Sequence, residues 1–143
     1  QVQRFIMDSI AITMSSAGKV EWVITAKQAY TGESDKDIGM IGVDATYTGT
    51  DQEHTRITSN KGVYDISESH LTLMEEVVID KPLSRQKLLT DLLHYYNNRK
   101  VVVCPGDVEL RGPDFKIRAG SLEYDLASRD YNFGDRVRVE LGI

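Results

Sequence analysis

The stretch IRAGSLEYDLASRDYNFGDRVRV, from Ile117 to Val139, decides the fold. In it Ile117, Ala119, Leu122 and Tyr124 are spaced by two, three and two residues; after a polar turn come Tyr131, Phe133, Val137 and Val139. The pattern recurs upstream. Leu88, Thr90, Leu93 and Tyr95 open a copy that Val102, Cys104, Val108 and Leu110 close, and Ile57, Ser59, Gly62 and Tyr64 open another, closed by Leu71, Leu73, Val77 and Ile79. The earliest copy is worn: Ile24, Ala26, Ala29 and Thr31, then Ile38 and Met40, with Asp44 and Thr46 breaking the run. Copies start 33, 31 and 29 residues apart, a period that means one supersecondary unit stacked repeatedly.

Steps of two place side chains on one face of an extended strand, whereas a helix needs steps of three and four. Each unit is therefore expected to be a hairpin. The single step of three, as at Ala119 to Leu122, would flip the strand unless a bulge restores its facing, and Gly120 beside it is compatible with a bulge. Turns are predicted at Ser67–Ser69, Asn97–Arg99 and Ala127–Arg129. Ahead of the repeats, Ile10, Ile12 and Met14 alternate as a strand, Ser15–Lys19 turn, and Val20, Trp22, Ile24 and Ala26 return. Polar connections are predicted at Gly32–Asp37 and Thr50–His54.

One segment argues for a helix. Ser84–Tyr96 has a candidate N-cap, no glycine, and Leu88, Leu89, Leu92, Leu93 and Tyr96 at helical spacing. The repeat register asks for a strand there, and three other copies support it, so the register is preferred over local propensity. The expected fold is all-β: an elongated antiparallel β-jellyroll of repeated hairpins with little or no helix, forming a single domain over residues 1–143.

A chain of 143 residues with 41% apolar content is long enough for a substantial core and is not of disordered composition. Its net charge of -5 and lack of a Lys/Arg cluster argue against a nucleic-acid partner, although Lys100, Arg111, Lys116, Arg118, Arg129, Arg136 and Arg138 make the C-terminal third more basic and leave local polyanion binding open. Cys104 cannot form an intramolecular disulfide, and its register makes it a small buried apolar residue. No transmembrane run or signal peptide is visible, and Gln1 is not an initiator methionine, so a targeting or anchoring segment ahead of it is expected.

No catalytic constellation emerges. His54, His70 and His94 fall near turns or outside the inward register and are expected at the surface; no residue set has metal-ligand spacing, and no phosphate loop or nucleophile elbow is present. The acidic pairs Asp35 and Asp37, Asp51 and Glu53, and Glu75 and Glu76 are expected to face water. The chain is read as a non-enzyme without metal or cofactor, and attention moves to its interior. Small residues at equivalent positions, Ala26, Ser59, Thr90 and Ala119, either leave a continuous furrow or make room for larger neighbours opposite. If the roll stays open, the candidate lipid-binding residues are Ile24, Ala26, Ile57, Ser59, Leu73, Thr90, Leu93, Ile117, Ala119, Leu122 and Phe133.

The run Gly18–Ala26, GKVEWVITA, resembles the G-x-x-x-W-x-L-x-A strand of the LptC family, the lipopolysaccharide-transport component C. Ile57–Tyr64, Leu71–Val78, Leu89–Tyr95 and Ala119–Asp125 resemble the recurring strands that this family shares with the OstA-like domains of LptA. Gly106-Asp107-Val108 matches a return-strand start where the preceding copy has Glu75-Glu76-Val77. The resemblance implies a periplasmic β-jellyroll tethered to the inner membrane of a Gram-negative bacterium through an N-terminal segment. Its partners would be lipopolysaccharide, an inner-membrane ABC transporter complex, and an LptA-like jellyroll joined by edge-strand pairing. The alternatives are a soluble LptA-like bridge and a structural β-roll that holds no lipid.

Overall fold

A computed structural model of the protein describes residues 5–31, 36–48 and 54–142. Six long strands come first: β1 (Ile6–Ser16), β2 (Lys19–Thr31), β3 (Asp37–Tyr47), β4 (Thr55–Asp65), β5 (His70–Lys81) and β6 (Gln86–Tyr96). Six short ones follow: β7 (Val101–Cys104), β8 (Val108–Arg111), β9 (Phe115–Ala119), β10 (Ser121–Asp125), β11 (Tyr131–Gly134) and β12 (Arg138–Leu141). All pair antiparallel in one open sheet, and no helix occurs among the described residues. The order is β1 through β6, after which the sheet forks: one end of β6 carries β7, β10 and β11, and the other carries β8, β9 and β12.

Each predicted unit is a hairpin, its opening and closing patterns occupying successive strands or strand pairs. Ser84–Tyr96 follows the repeat register: β6 buries Leu88, Thr90, Leu93 and Tyr95, the alternating set with one step of three. Turns occupy 66–69, 97–100 and 126–128. The first polar connection is described only from Lys36 and the second only at His54, their remainders lying outside the described residues.

Two details differ from the sequence reading. The worn copy is not interrupted at Asp44 and Thr46, because Gly42 (φ 68°) absorbs one residue and the inward face continues through Val43, Ala45 and Tyr47. Gly120 does not need a glycine's backbone freedom, since it is not among the positive-φ residues. It is demanded by close approach: a Cβ there would lie 2.6 Å from Asp135 Cβ, while its N–H donates to the carbonyls of Gly134 (3.0 Å) and Asp135 (2.7 Å).

The odd steps of three and four line up across the sheet as a fold line. Positive φ occurs along it at Ser9 (54°), Gly42 (68°), Glu75 (66°), Glu76 (54°), Asp135 (63°) and Arg136 (58°). Beyond β6 the line cuts the strands themselves, at 105–107, at Gly120 and at 135–137. The sheet bends there into two leaves. Trp22 and Tyr95 lie four strands apart, roughly 19 Å in a flat sheet, yet their ring centroids are 4.9 Å apart. Lys81 on β5 reaches Tyr124 on β10, and Lys100 pairs with Glu21, in the same way.

Candidate functional site

The interior between the leaves consists of cross-strand rows that follow the sequence repeat. Deep in the Trp22 leaf runs an aliphatic row, Ile12, Ile24, Ala45, Ile57, Ile79, Leu88, Leu110 and Ile117, each opposite the next, which ends at the exposed Val139 on the β12 edge. Beside the fold line are the smaller Ala26, Val43, Ser59, Val77, Thr90, Val108 and Ala119. The Tyr95 leaf contributes Ala29, Met40, Gly62, Leu73 and Leu93, and then Cys104, Leu122 and Phe133.

The rims, farthest from the fold line, are amphipathic. Met14, Trp22 and Tyr47 line one, and because Arg56 faces Asp80, Thr55 and Lys81 continue it. Ile38, Tyr64, Leu71, Tyr95, Val102, Tyr124 and Tyr131 line the other. Aromatic contacts run along and between the rims here: Trp22 packs 4.9 Å from its row neighbour Tyr47 and, across the leaves, 4.9 Å from Tyr95, while Tyr124 stacks 4.2 Å from its neighbour Tyr131. Tyr95 Oη donates to Asn97 Oδ1 at 3.1 Å, and burial pushes its pKa up.

All eleven candidate lipid-binding residues share this inner surface. Ile24, Ala26, Ile57, Ser59, Leu73, Thr90, Leu93, Ala119 and Leu122 are buried, and Ile117 and Phe133 are half-buried against the same core. The small residues serve the fold line as well. Ser59 Oγ donates to the Lys61 carbonyl (2.9 Å) and Thr90 Oγ1 to the Asp107 carbonyl (2.9 Å), satisfying backbone acceptors where the ladder is interrupted. Cys104 is fully buried between Leu93 and Leu122, and burial pushes its thiol up to about 12.

A cavity of about 970 Å³ lies on the opposite side of the sheet, along the outside of the fold line. Thr58, Val78, Leu89, Glu109 and Arg118 line it, each adjacent in sequence to an inward-facing residue. Of the candidate lipid-binding set only Ser59, Thr90 and Ala119 reach it. Glu109 accepts from Arg111 (2.5 Å) and Arg118 (2.9 Å), and against the upward push of burial these bonds hold its carboxyl below the usual range.

Sequence reasoning missed two groupings. His70 and His94 do face outward, but they are half-buried and paired, with His70 Nε2 and His94 Nδ1 2.9 Å apart beneath Tyr96, whose ring stacks on His70 at 4.5 Å. Burial, then the neighbouring His70, lowers the His94 pKa. The available signal was antiparallel register: pairing His70 with Tyr96 brings His94 opposite Thr72, diagonal to His70. No group of three or more His, Cys, Asp or Glu side chains able to hold a metal occurs among the described residues. The second is Lys81, in register with Val77 and Ile79 and buried at the rim.

A single antiparallel sheet folded over an apolar interior, with unpaired edges at β1, β11 and β12, defines the open β-jellyroll class. Over residues 1–141 the chain matches the family described as lipopolysaccharide-assembly, LptC-related, and it belongs to that family. It is thereby a non-enzymatic component of lipopolysaccharide transport, working in the periplasm. Its fold is similar to the crystal structure of LptH, the LptA-homologous periplasmic component of the lipopolysaccharide transport device from Pseudomonas aeruginosa. The TM-score is 0.66 at 13% identity, covering 85% of this chain and 95% of that one. Comparison with curated proteins found no match. No helix among the described residues is long and apolar enough to cross a membrane.

Proposed function

We propose that this protein carries lipopolysaccharide with its acyl chains between the two leaves and its sugar headgroup outside the rims. The carrying observation is the order of the inner rows: aliphatic and small residues lie deep, and Trp22, Tyr47, Tyr95, Tyr124 and Lys81 lie at the rims. A ligand with an apolar tail and a polar head meets both surfaces in that order. Transfer of each tail methylene from water contributes about 0.8 kcal/mol. The interior is packed when empty, so the leaves part to admit the tails, and the tails then cover the apolar side chains that this parting uncovers.

The partners in this reading are an inner-membrane ABC transporter complex, which supplies lipopolysaccharide, and an LptA-like jellyroll, which receives it. A segment ahead of Gln1 tethers the domain to the inner membrane. Docking uses free edges: Ile6 on β1 is 75% exposed and Leu141 on β12 is 76% exposed, so apolar surface accompanies the unpaired backbone at both ends of the sheet.

Adjacent residues on opposite faces give the test. Photoreactive residues at 88 and 117, which face inward and do not reach the outer cavity, should capture lipopolysaccharide, and those at 89 and 118, which line that cavity, should not. Equal capture on both faces would refute interior binding. No capture at any of the four, in folded protein supplied with lipopolysaccharide, would favour a filled scaffold.

A further inference from the structure

Lys81 is the one charged side chain among the buried described residues, at 9% exposure. Its ammonium donates to Tyr124 Oη and lies 4.3 Å from the Tyr124 ring centroid and 5.4 Å from that of Tyr131. No carboxylate approaches it within 4.0 Å among the described residues. Burial opposes its charge, but the bond to Tyr124 and the proximity of Tyr131 outweigh that and keep its pKa raised, so the group is a cation at neutral pH. A desolvated ammonium stabilised only by phenol groups retains strong unfulfilled attraction for an anion.

We propose that Lys81, together with the hydroxyls of Tyr124 and Tyr131, forms an anion site on the inner rim that takes a phosphate group. A tetrahedral phosphate has enough oxygens to accept from the ammonium and both phenols at once, and charge-assisted bonds of this kind are the strong ones. The placement sets the ligand's orientation. Ile79 is two residues deeper on the same strand face, and Leu122 two residues deeper than Tyr124. An amphiphile whose tail follows those side chains inward leaves its head phosphate at Lys81. The bond from Lys81 to Tyr124 joins the two leaves in the empty protein, and the phosphate takes Tyr124's place on the ammonium when the leaves part. This inference rests on the interior being the lipid site.

Calorimetric titration of the protein with monododecyl phosphate, dodecyl maltoside and inorganic phosphate, the amphiphiles below micelle formation, tests it. The wild type should prefer the alkyl phosphate to the maltoside by about tenfold or more, equivalent to about 1.4 kcal/mol. Lys81→Met removes the clasp for both amphiphiles alike and should abolish the preference between them, the ratio of the two affinities falling to about one, while Lys81→Arg should keep it. Inorganic phosphate binding as tightly as the alkyl phosphate, and lost in Lys81→Met, would uphold the anion site with free phosphate as its ligand. A preference absent from the wild type, or undiminished in Lys81→Met, would overturn the proposal and leave Lys81 as a clasp between leaves. If Lys81→Met does not fold, Tyr131→Phe must weaken the preference instead, and failure to do so overturns it equally. Should neither amphiphile bind the wild type, interior lipid binding fails, and the inorganic phosphate titration alone decides Lys81.

Discussion

Replacing Gly120 by alanine tests whether close approach across the fold line holds the C-terminal strands together. The added Cβ would stand 2.6 Å from Asp135 Cβ and 3.0 Å from the Asp135 carbonyl oxygen, where real contacts seldom fall below 3.4 Å. The backbone of Asp135 must therefore retreat by several tenths of an ångström, stretching two bonds that Gly120 N–H makes to Gly134 and Asp135. Overpacking of this kind costs about 1 to 3 kcal/mol. For a domain of this size that corresponds to a fall in Tm of roughly 3 to 12 °C. The control is Gly106→Ala, at the matching break between β7 and β8. A Cβ there meets nothing within 4 Å, and Gly106 is not among the positive-φ residues. Lower unfolded-state entropy makes this change neutral or stabilising by up to about 1 kcal/mol. Urea unfolding followed by circular dichroism reads both. Equal stability of Gly120→Ala and wild type would refute the close-approach argument.

Three further outcomes follow. Cys104, buried with its thiol pushed up to about 12, should react with a bulky thiol reagent slowly in native protein and rapidly once denatured; fast native labelling would contradict its position between Leu93 and Leu122. The His94 pKa lies below its ordinary 6.5, so the unfolded chain binds more protons in that range; stability should fall as pH drops below 6.5, and thermal melts of His94→Gln should show a flatter dependence. The Gly142 N–H donates to the Asp114 carbonyl (2.8 Å), which fixes the phase of β12 and turns the Val139 N–H toward its free edge. Val139→Pro should therefore weaken pull-down of an LptA-like partner while β12 remains paired with β9, and undiminished association would exclude this edge. Val137, which sequence spacing assigned to the last strand, precedes β12 and is the poorer probe.

The inner rows were legible because strand parity converts spacing directly into facing. Ile24, Ile57, Leu88 and Ile117 occupy one position of the repeat and one row of the sheet. The same logic turned Ser84–Tyr96 into a strand against its helical spacing, since leucines satisfy either period and only comparison with the other copies separates them. Asp44 and Thr46 misled because a step of three replaced the step of four seen in later copies, and which bulge a strand adopts depends on its neighbour's backbone as well as its own residues. Glu75 and Glu76 show this best: nothing in their side chains announces two consecutive left-handed residues. Lys81 was hidden for another reason. Its parity put it inside, but its charge reads as a strand end, and only the fold of one leaf over the other brings Tyr124 and Tyr131 to it.

The fork at β6 gives the roll unequal stiffness along its length. From β2 to β6 each strand passes through the fold line as one continuous strand, its pairing interrupted by bulges but resumed on both sides, so spreading the leaves there bends five strands against the ladders that flank the line. After β6 the leaves are joined only by short irregular links at 105–107, at Gly120 and at 135–137. The C-terminal end thus behaves as a pair of jaws on a hinge and the N-terminal end as a rigid spine. Amides of β7, β10 and β11 should exchange with deuterium before those of β3 and β4. A ligand whose tails part the leaves, as proposed above, would therefore enter at lower cost beside β11 and β12 than beside β3 and β4.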